Sequence, residues 1–262
     1  MAIERIVPGT KEWDAYYANH IIRYQFAVNQ LQSKSGLNIL DAACGVGYGS
    51  RFLADNLQGA SITAVDRSRD ALVIANKQFA TANIRFVEDD CHTLQAAAAF
   101  AGFDAIVSFE TLEHLPQPTH FLNSCFKNLK TGGQLIVSTP NQLVSSPEEL
   151  NWEYHEKEYT AAEFYGLLKE SGFVNIRLFG QQFTMKGKIK NEIRADLNRI
   201  WSNPLVRLGS WIQKKIKGHQ FAPMLKETID DFEIVAFKNT EACDRLALQG
   251  PFVLIAIAEK EK

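Results

Sequence analysis

Between Asn38 and Ser50 the chain reads NILDAACGVGYGS, an apolar run closing on Asp41 and then a turn carrying Gly45, Gly47 and Gly49. Glycines in such a turn supply positive φ and let a ligand approach the backbone closely. A dinucleotide-binding turn would read G-x-G-x-x-G, with a pyrophosphate on a helix N-terminus. Here the third glycine comes one residue early and an acid sits at the strand end, so both details point away from NAD. Asp66 stands 21 residues after Gly45 at the end of the next apolar run, where a carboxylate can take both hydroxyls of a ribose. Asp90 and Cys91 follow the third run. There a carboxylate can accept from an adenine amino group and a main-chain N–H can meet a ring nitrogen. Beyond the fourth run lies VSFETLEHLPQP, with Glu110 and His114, and later NWEYHEKEYT, with His155. These three are the candidates for moving a proton. His92, His120 and His219 carry no motif and are read as surface or structural.

The elements that must position these residues follow from periodicity. Short apolar runs alternate with segments of helical period, which predicts a parallel sheet flanked by helices. Thr10 caps an opening helix to about Gln32, with Trp13, Tyr17, Ile21, Tyr24, Val28 and Leu31 at three- and four-residue spacing. Strands are expected at Leu37–Ala42, Ser61–Val65, Ile84–Val87 and Asp104–Phe109. The helices between them are expected at about Tyr48–Asn56 and Ser68–Thr81, followed by a short Ala-rich one. A helix Thr119–Leu129 is expected to stop at Gly132 and Gly133, with a strand Gln134–Thr139 ended by Pro140. Thr160 caps a helix to Ser171, Gly172 terminates it, and Val174–Phe179 is a strand. The last strand is Phe252–Ala258.

The 262 residues, 46% apolar and 22% charged, are those of an ordinary globular protein and exclude collagen-like and disordered classes. With 28 basic against 30 acidic residues no global field draws the molecule to nucleic acid or anionic membrane. Cys44, Cys91, Cys125 and Cys243 are far apart and form no C-x-x-C, which argues against a zinc site or a disulfide framework. Neither a signal peptide nor a membrane span is evident. A cytoplasmic protein without metal is expected.

From Phe183 to Gly218 the alternation breaks. Over Thr184–His219 nine Lys and Arg face Glu192 and Asp196, a local charge of +7. Apolar residues at helical spacing, divided by Pro204, suggest an inserted amphipathic basic hairpin. It is either a solvated face packed on the domain, a binding surface for an acidic acceptor, or an anionic-membrane contact favoured by Trp201 and Trp211.

Taken in order, ILDAACGVGYGS, AVDRS, FVEDDCHTL, FDAIVSFETLEHL and LKTGGQLIVSTPN closely resemble the class I S-adenosylmethionine-dependent methyltransferases over residues 37–179. The resemblance implies a Rossmann-like, seven-stranded, mainly parallel α/β sheet in the order 3-2-1-4-5-7-6 with helices on both faces and the last strand antiparallel. It implies that Asp41, Gly45 and Gly47 hold the methionine part of S-adenosylmethionine, Asp66 the ribose, and Asp90 with the Cys91 backbone the adenine. Ala43, Arg67 and Phe109 join this set, the last through its carbonyl. Asp89 competes with Asp90 for the adenine contact, and register favours Asp90. One domain is expected over 1–262: a helical lid at 1–35, the cofactor core at 36–180, the insertion at 183–220 and C-terminal strands at 228–262.

The opening ERIVPG and NHIIRYQFA, with YHEKEYTAAEF later, are similar to bacterial methyltransferases of surface-polysaccharide and sugar biosynthesis. That resemblance implies a sugar or glycan-precursor hydroxyl, or an amine, as acceptor, carried as a nucleotide- or lipid-linked sugar. A quinone or phenol acceptor, and a non-catalytic cofactor-binding protein, are the alternatives. His155 is the leading base, and His114 could instead orient its loop. On the first helix, His20, Arg23 and Tyr24 either belong to a lid over the substrate or lie on an amphipathic helix that buries Tyr24 while Arg23 faces solvent. A homodimer is compatible with this reading, and nucleic acid is not an expected partner.

Overall fold

The computed structural model describes residues 6–100, 102–144, 155–192, 227–238 and 251–261. Most of the basic hairpin, including Trp201, Trp211 and His219, and the fourth cysteine, Cys243, lie outside the described residues. Two compact units emerge. One comprises the described residues within 23–182 and 234–261, the other those within 6–22 and 183–233.

The first unit is a sheet layered with helices. In chain order its elements are α1 (Lys11–Leu31, from Arg23 onward), β1 (Asn38–Ala42), α2 (Tyr48–Asn56), β2 (Ser61–Asp66), α3 (Arg69–Phe79) and β3 (Ile84–Glu88). There follow β4 (Phe103–Ser108), α4 (Pro118–Asn128), β5 (Leu129–Pro140), α5 (Ala161–Glu170), β6 (Val174–Phe183, to Gln182), β7 (Phe232–Ala236, from Ile234) and β8 (Val253–Glu259). The strand order is β3-β2-β1-β4-β5-β8-β6-β7. Strands β3, β2, β1, β4 and β5 run parallel, and β8 pairs antiparallel with both β5 and β6. The sheet therefore has eight strands where seven were expected. With β7 set aside the order is the expected one, and the extra strand sits at an edge.

Burial explains the placement. The interior strands β1, β4 and β8 are buried along nearly their whole length, as a strand covered on both faces must be. The edge strands β3 and β7 are buried at their first residues and half-buried or exposed beyond. The core joins Leu40, Phe103, Ile106, Leu135, Val137 and Ala256 of the strands to Phe121, Leu122, Phe164 and Leu168 of α4 and α5.

Local signals held at most boundaries. Ser68 caps α3 by accepting from Ala71 N–H, and Thr160 forms a reciprocal capping box with Glu163 before α5. Gly172 ends that region at φ 88. The Gly132–Gly133 pair does not stop a helix. α4 ends at Asn128 and the pair lies inside β5, where Gly132 at φ 75 donates to Lys260 O and a β-carbon on Gly133 would sit 2.8 Å from Lys130 O. The glycines accommodate an irregularity between β4 and β5, whose register shifts between Phe103 and Ala105.

In the second unit Thr10 Oγ1 accepts from Trp13 N–H at the start of α1 as expected, and Trp13 stacks on Tyr17 at 4.3 Å. A helix begins at 185, within the segment expected to be inserted. Lys190 reaches buried Asp231 at 2.6 Å. Among the described residues no helix is long and apolar enough to cross a membrane.

Candidate functional site

The turn after β1 is built from left-handed residues: Ala43 at φ 62, Gly45 at φ 56 and Gly47 at φ 87. Alanine pays about 1 to 2 kcal/mol for that conformation, a cost tolerated where the surroundings fix the backbone. Cys44 N–H donates to Val65 O at 2.8 Å, tying the turn to β2. At the end of β2, Asp66 accepts from Gly45 N–H at 2.9 Å with one carboxylate oxygen and from Ser68 N–H at 2.8 Å with the other. One side chain thus fixes the turn after β1 and the start of α3.

At two of the three glycines the protein's own packing leaves no room for a side chain. A β-carbon on Gly47 would lie 2.7 Å from the Phe86 ring and 2.9 Å from Ala75 Cβ, and one on Gly49 would lie 1.9 Å from Tyr24 Cζ. Gly49→Ala should therefore displace a buried ring, at a cost of about 1 to 3 kcal/mol. A thermal melt lowered by several degrees, with weaker binding of S-adenosylhomocysteine, is the expected result. An unchanged melt would mean that the ring is not held there.

Tyr24 is buried as the amphipathic reading expected. Its hydroxyl donates to Asp41 at 3.3 and 3.5 Å, and Ser50 Oγ donates to Asp41 at 2.6 Å. Burial pushes the Asp41 carboxyl up to about 7; the bonds from Ser50 and Tyr24 act against that, and the charge of Asp66 adds to it. Phe109 meets the Tyr24 ring edge-on at 4.8 Å. Asp41 is fully buried, beneath the turn.

After β3 the two aspartates divide their work. Asp89 is buried and accepts from Asp90 N–H and from Ala97 N–H, which anchors the following turn. Asp90 keeps an exposed carboxylate, its pKa lowered mainly by the N–H of His92, whose ring also lies 3.0 Å away. Cys91 is buried, its thiol pushed up to about 12, and Arg67 is exposed. Carboxylates at the ends of three adjacent strands, β1, β2 and β3, match an ammonium, a ribose diol and an adenine amine, spaced about 4.8 Å per strand. The donor set fits S-adenosylmethionine.

The remaining candidates gather at the ends of β4 and β5. Glu110 takes the left-handed region at φ 54, with Ser138 Oγ donating to its carboxylate at 2.7 Å and accepting from its N–H at 3.2 Å. Glu113 is fully buried and accepts from Thr139 Oγ1 at 3.1 Å. Burial first, and then the charge of Glu110, hold its carboxyl well above the usual range, against the pull of Thr139 and Arg23. The main-chain carbonyl of Glu113 accepts from Glu156 N–H and Lys157 N–H, which fastens the His155 loop to the loop after β4. His155 and His114 are thereby brought together with ring centroids 4.8 Å apart, and His155 Nδ1 lies 3.1 Å from Glu158 Oε1. Glu113, His114 and His155 also bring ligand atoms within 4.8 Å of one another, a set that a cation could join.

Arg23 does not face solvent. It is 1% exposed, and its Nη1 donates to buried Gln181 Oε1 on β6 at 2.9 Å. The reason is pairing, since a buried guanidinium persists only where its N–H groups find acceptors. His20, one turn away from Tyr24, belongs to the second unit and is half-buried. The residues that sequence reasoning did not single out are Glu158, Glu113, Ser50, Ser138 and Gln181. The Glu158 of HEKE, three residues past His155, was the one visible signal among them.

A family model described as a methyltransferase domain matches residues 12–178, more than half of the chain. A relative from Mycolicibacterium smegmatis, described as a probable S-adenosylmethionine-dependent methyltransferase, is 30% identical over 65% of this chain and 63% of its own length. The chain thus spans less than two thirds of that relative. A ubiquinone biosynthesis O-methyltransferase from Idiomarina loihiensis is 28% identical over 68% of this chain and 79% of its own. The solved structure of an S-adenosylmethionine-dependent methyltransferase from Mesorhizobium loti covers 92% of this chain and 99% of its own with a TM-score of 0.59 at 14% identity, a likeness of fold.

Proposed function

The chain belongs to the methyltransferase-domain family, and from that premise we propose that it methylates a hydroxyl of a small-molecule acceptor, with S-adenosylmethionine as donor and His155 as base. When bound, the donor supplies a methyl group on a sulfonium, with a neutral thioether as leaving group. The chain's main task is then alignment, and positioning of this kind can contribute about 7 to 11 kcal/mol. Asp66 orients the ribose, Asp90 the adenine, and the turn at Ala43–Gly47 the methionine end.

The observation that carries the base is the 3.1 Å contact of His155 Nδ1 with Glu158. A buried carboxylate there favours the tautomer protonated at Nδ1 and stabilises the imidazolium that results when the ring takes a proton. His114 packs edge-on against that ring and positions it. An aliphatic alcohol, with its high pKa, needs such a base as it attacks, which favours the hydroxyl of a sugar or glycan precursor, nucleotide- or lipid-linked. The Idiomarina relative's described activity favours a second reading, a phenolic acceptor, whose lower pKa makes the base less necessary.

The test is an acceptor screen with methyl-labelled S-adenosylmethionine against nucleotide sugars and catechols. Label transferred to a sugar nucleotide and lost in His155→Ala is the expected result. Transfer to catechols alone, undiminished in His155→Ala, would replace the sugar reading with the phenolic one. Binding of S-adenosylhomocysteine without turnover of any acceptor would leave a non-catalytic binding protein.

A further inference from the structure

Tyr24 stands at the donor end with a part that alignment of the acceptor does not use. Its ring occupies the space a side chain on residue 49 would fill, and Phe109 closes on it at 88°. Held there, the phenol can point only where Asp41 and Ser50 already meet. Its hydroxyl divides between the two Asp41 oxygens at 3.3 and 3.5 Å, while Ser50 donates to one of them at 2.6 Å. Around this carboxylate the other titratable groups are Asp66, whose negative charge opposes ionisation, the Cys44 thiol, and the Tyr48 phenol, whose ring lies 6.0 Å from that of Tyr24. Two hydroxyl donors favour the charged form of this carboxylate against its full burial.

We infer that Tyr24 is a positioning residue for the donor: its phenol keeps Asp41 ionised beneath the glycine turn, so that the cationic end of the donor meets a negative charge already formed. This rests on the S-adenosylmethionine reading above. The balance is a proton equilibrium. Where Asp41 is protonated in the free protein, donor binding expels its proton to the buffer; where Asp41 is already ionised, none is released. Burial brings that boundary to about 7, and the hydroxyl donors hold it from going higher. Removing one donor moves the boundary up by about one pH unit, the worth of a hydrogen bond to a charged group.

Calorimetric titration with S-adenosylhomocysteine, in paired buffers of different ionisation enthalpy, reads both affinity and protons released. In the wild type, affinity should rise with pH through about 7, with proton release on the acid side only. Tyr24→Phe keeps the ring against Gly49 and Phe109, and should shift both curves up by about one pH unit while converging with the wild type in alkali. Ser50→Ala removes the shorter bond to the same carboxylate and should move them in the same direction, which keeps the test open if Tyr24→Phe does not fold. Unshifted curves in both variants, or a loss of affinity equal at every pH, would overturn the inference and leave Tyr24 a packing residue. A wild type that binds no S-adenosylhomocysteine at any pH would instead overturn the donor reading itself.

Discussion

His155→Ala should lower kcat by about 100- to 10,000-fold, the range over which a positioned base contributes, with donor affinity unchanged. The size of the effect follows from the geometry. His155 is not a loose loop histidine: Glu158 lies 3.1 Å from its Nδ1, and the N–H groups of the two residues after it are fixed to the Glu113 carbonyl. A histidine so restrained is already oriented when an acceptor arrives. Glu158→Gln should give a smaller fall, because the ring keeps a neighbour but loses the charge that stabilises the imidazolium. His114→Ala separates the roles further, since a histidine that only supports its neighbour should weaken acceptor KM more than kcat. Turnover of a sugar acceptor by His155→Ala at the wild-type rate would remove His155 from the chemistry altogether.

Asp66→Ala should weaken S-adenosylhomocysteine binding by about 100-fold or more and lower the melting temperature as well. Asp66 accepts Gly45 N–H with one oxygen and Ser68 N–H with the other, and in the proposed role its carboxylate also takes the two ribose hydroxyls. Two hydrogen bonds to a charged acceptor are worth about 3 to 6 kcal/mol together, of which about 2.7 kcal/mol corresponds to 100-fold. The melt reports the other half of the role, because truncation orphans two N–H groups that hold the turns. Asp66→Asn keeps one acceptor and should fall between. Calorimetry and a thermal scan on the three proteins check this, and wild-type affinity in Asp66→Ala would move the ribose elsewhere.

Much of the candidate site was legible because its residues stand at strand ends, and strand ends are marked in sequence by turns. Asp41, Asp66 and Asp90 were singled out that way, and α2, α3 and α5 lie close to their expected ranges. What escaped depends on contacts far apart in the chain. Arg23 reads as the polar face of a helix until Gln181, 158 residues later, is seen to receive it. Glu158 looks like one charge among several in HEKEY, and only the orientation of His155 gives it a part. The strand β7 is FEIVA, buried at Phe232 and half-buried or exposed beyond, and so carries too little apolar alternation to be separated from its surroundings. Glycine misled once, at Gly132–Gly133. A glycine signals that a side chain would not fit, and at Gly133 the Lys130 carbonyl inside the sheet rather than a helix end supplies the obstacle.

The reversed strand β8 bears on folding. It pairs Gln134 with Glu259 and Leu135 with Ala258 on one side, and Leu178 with Ala256 on the other. Gln134 and Glu259 stand 125 residues apart in the chain, and β8 enters between two strands that both precede it. Without it, β5 and β6 each present an unpaired edge. Pairings of such long range are slow to form, so closing the sheet at β8 is the costly step in chain entropy, far from the turn where the donor would bind.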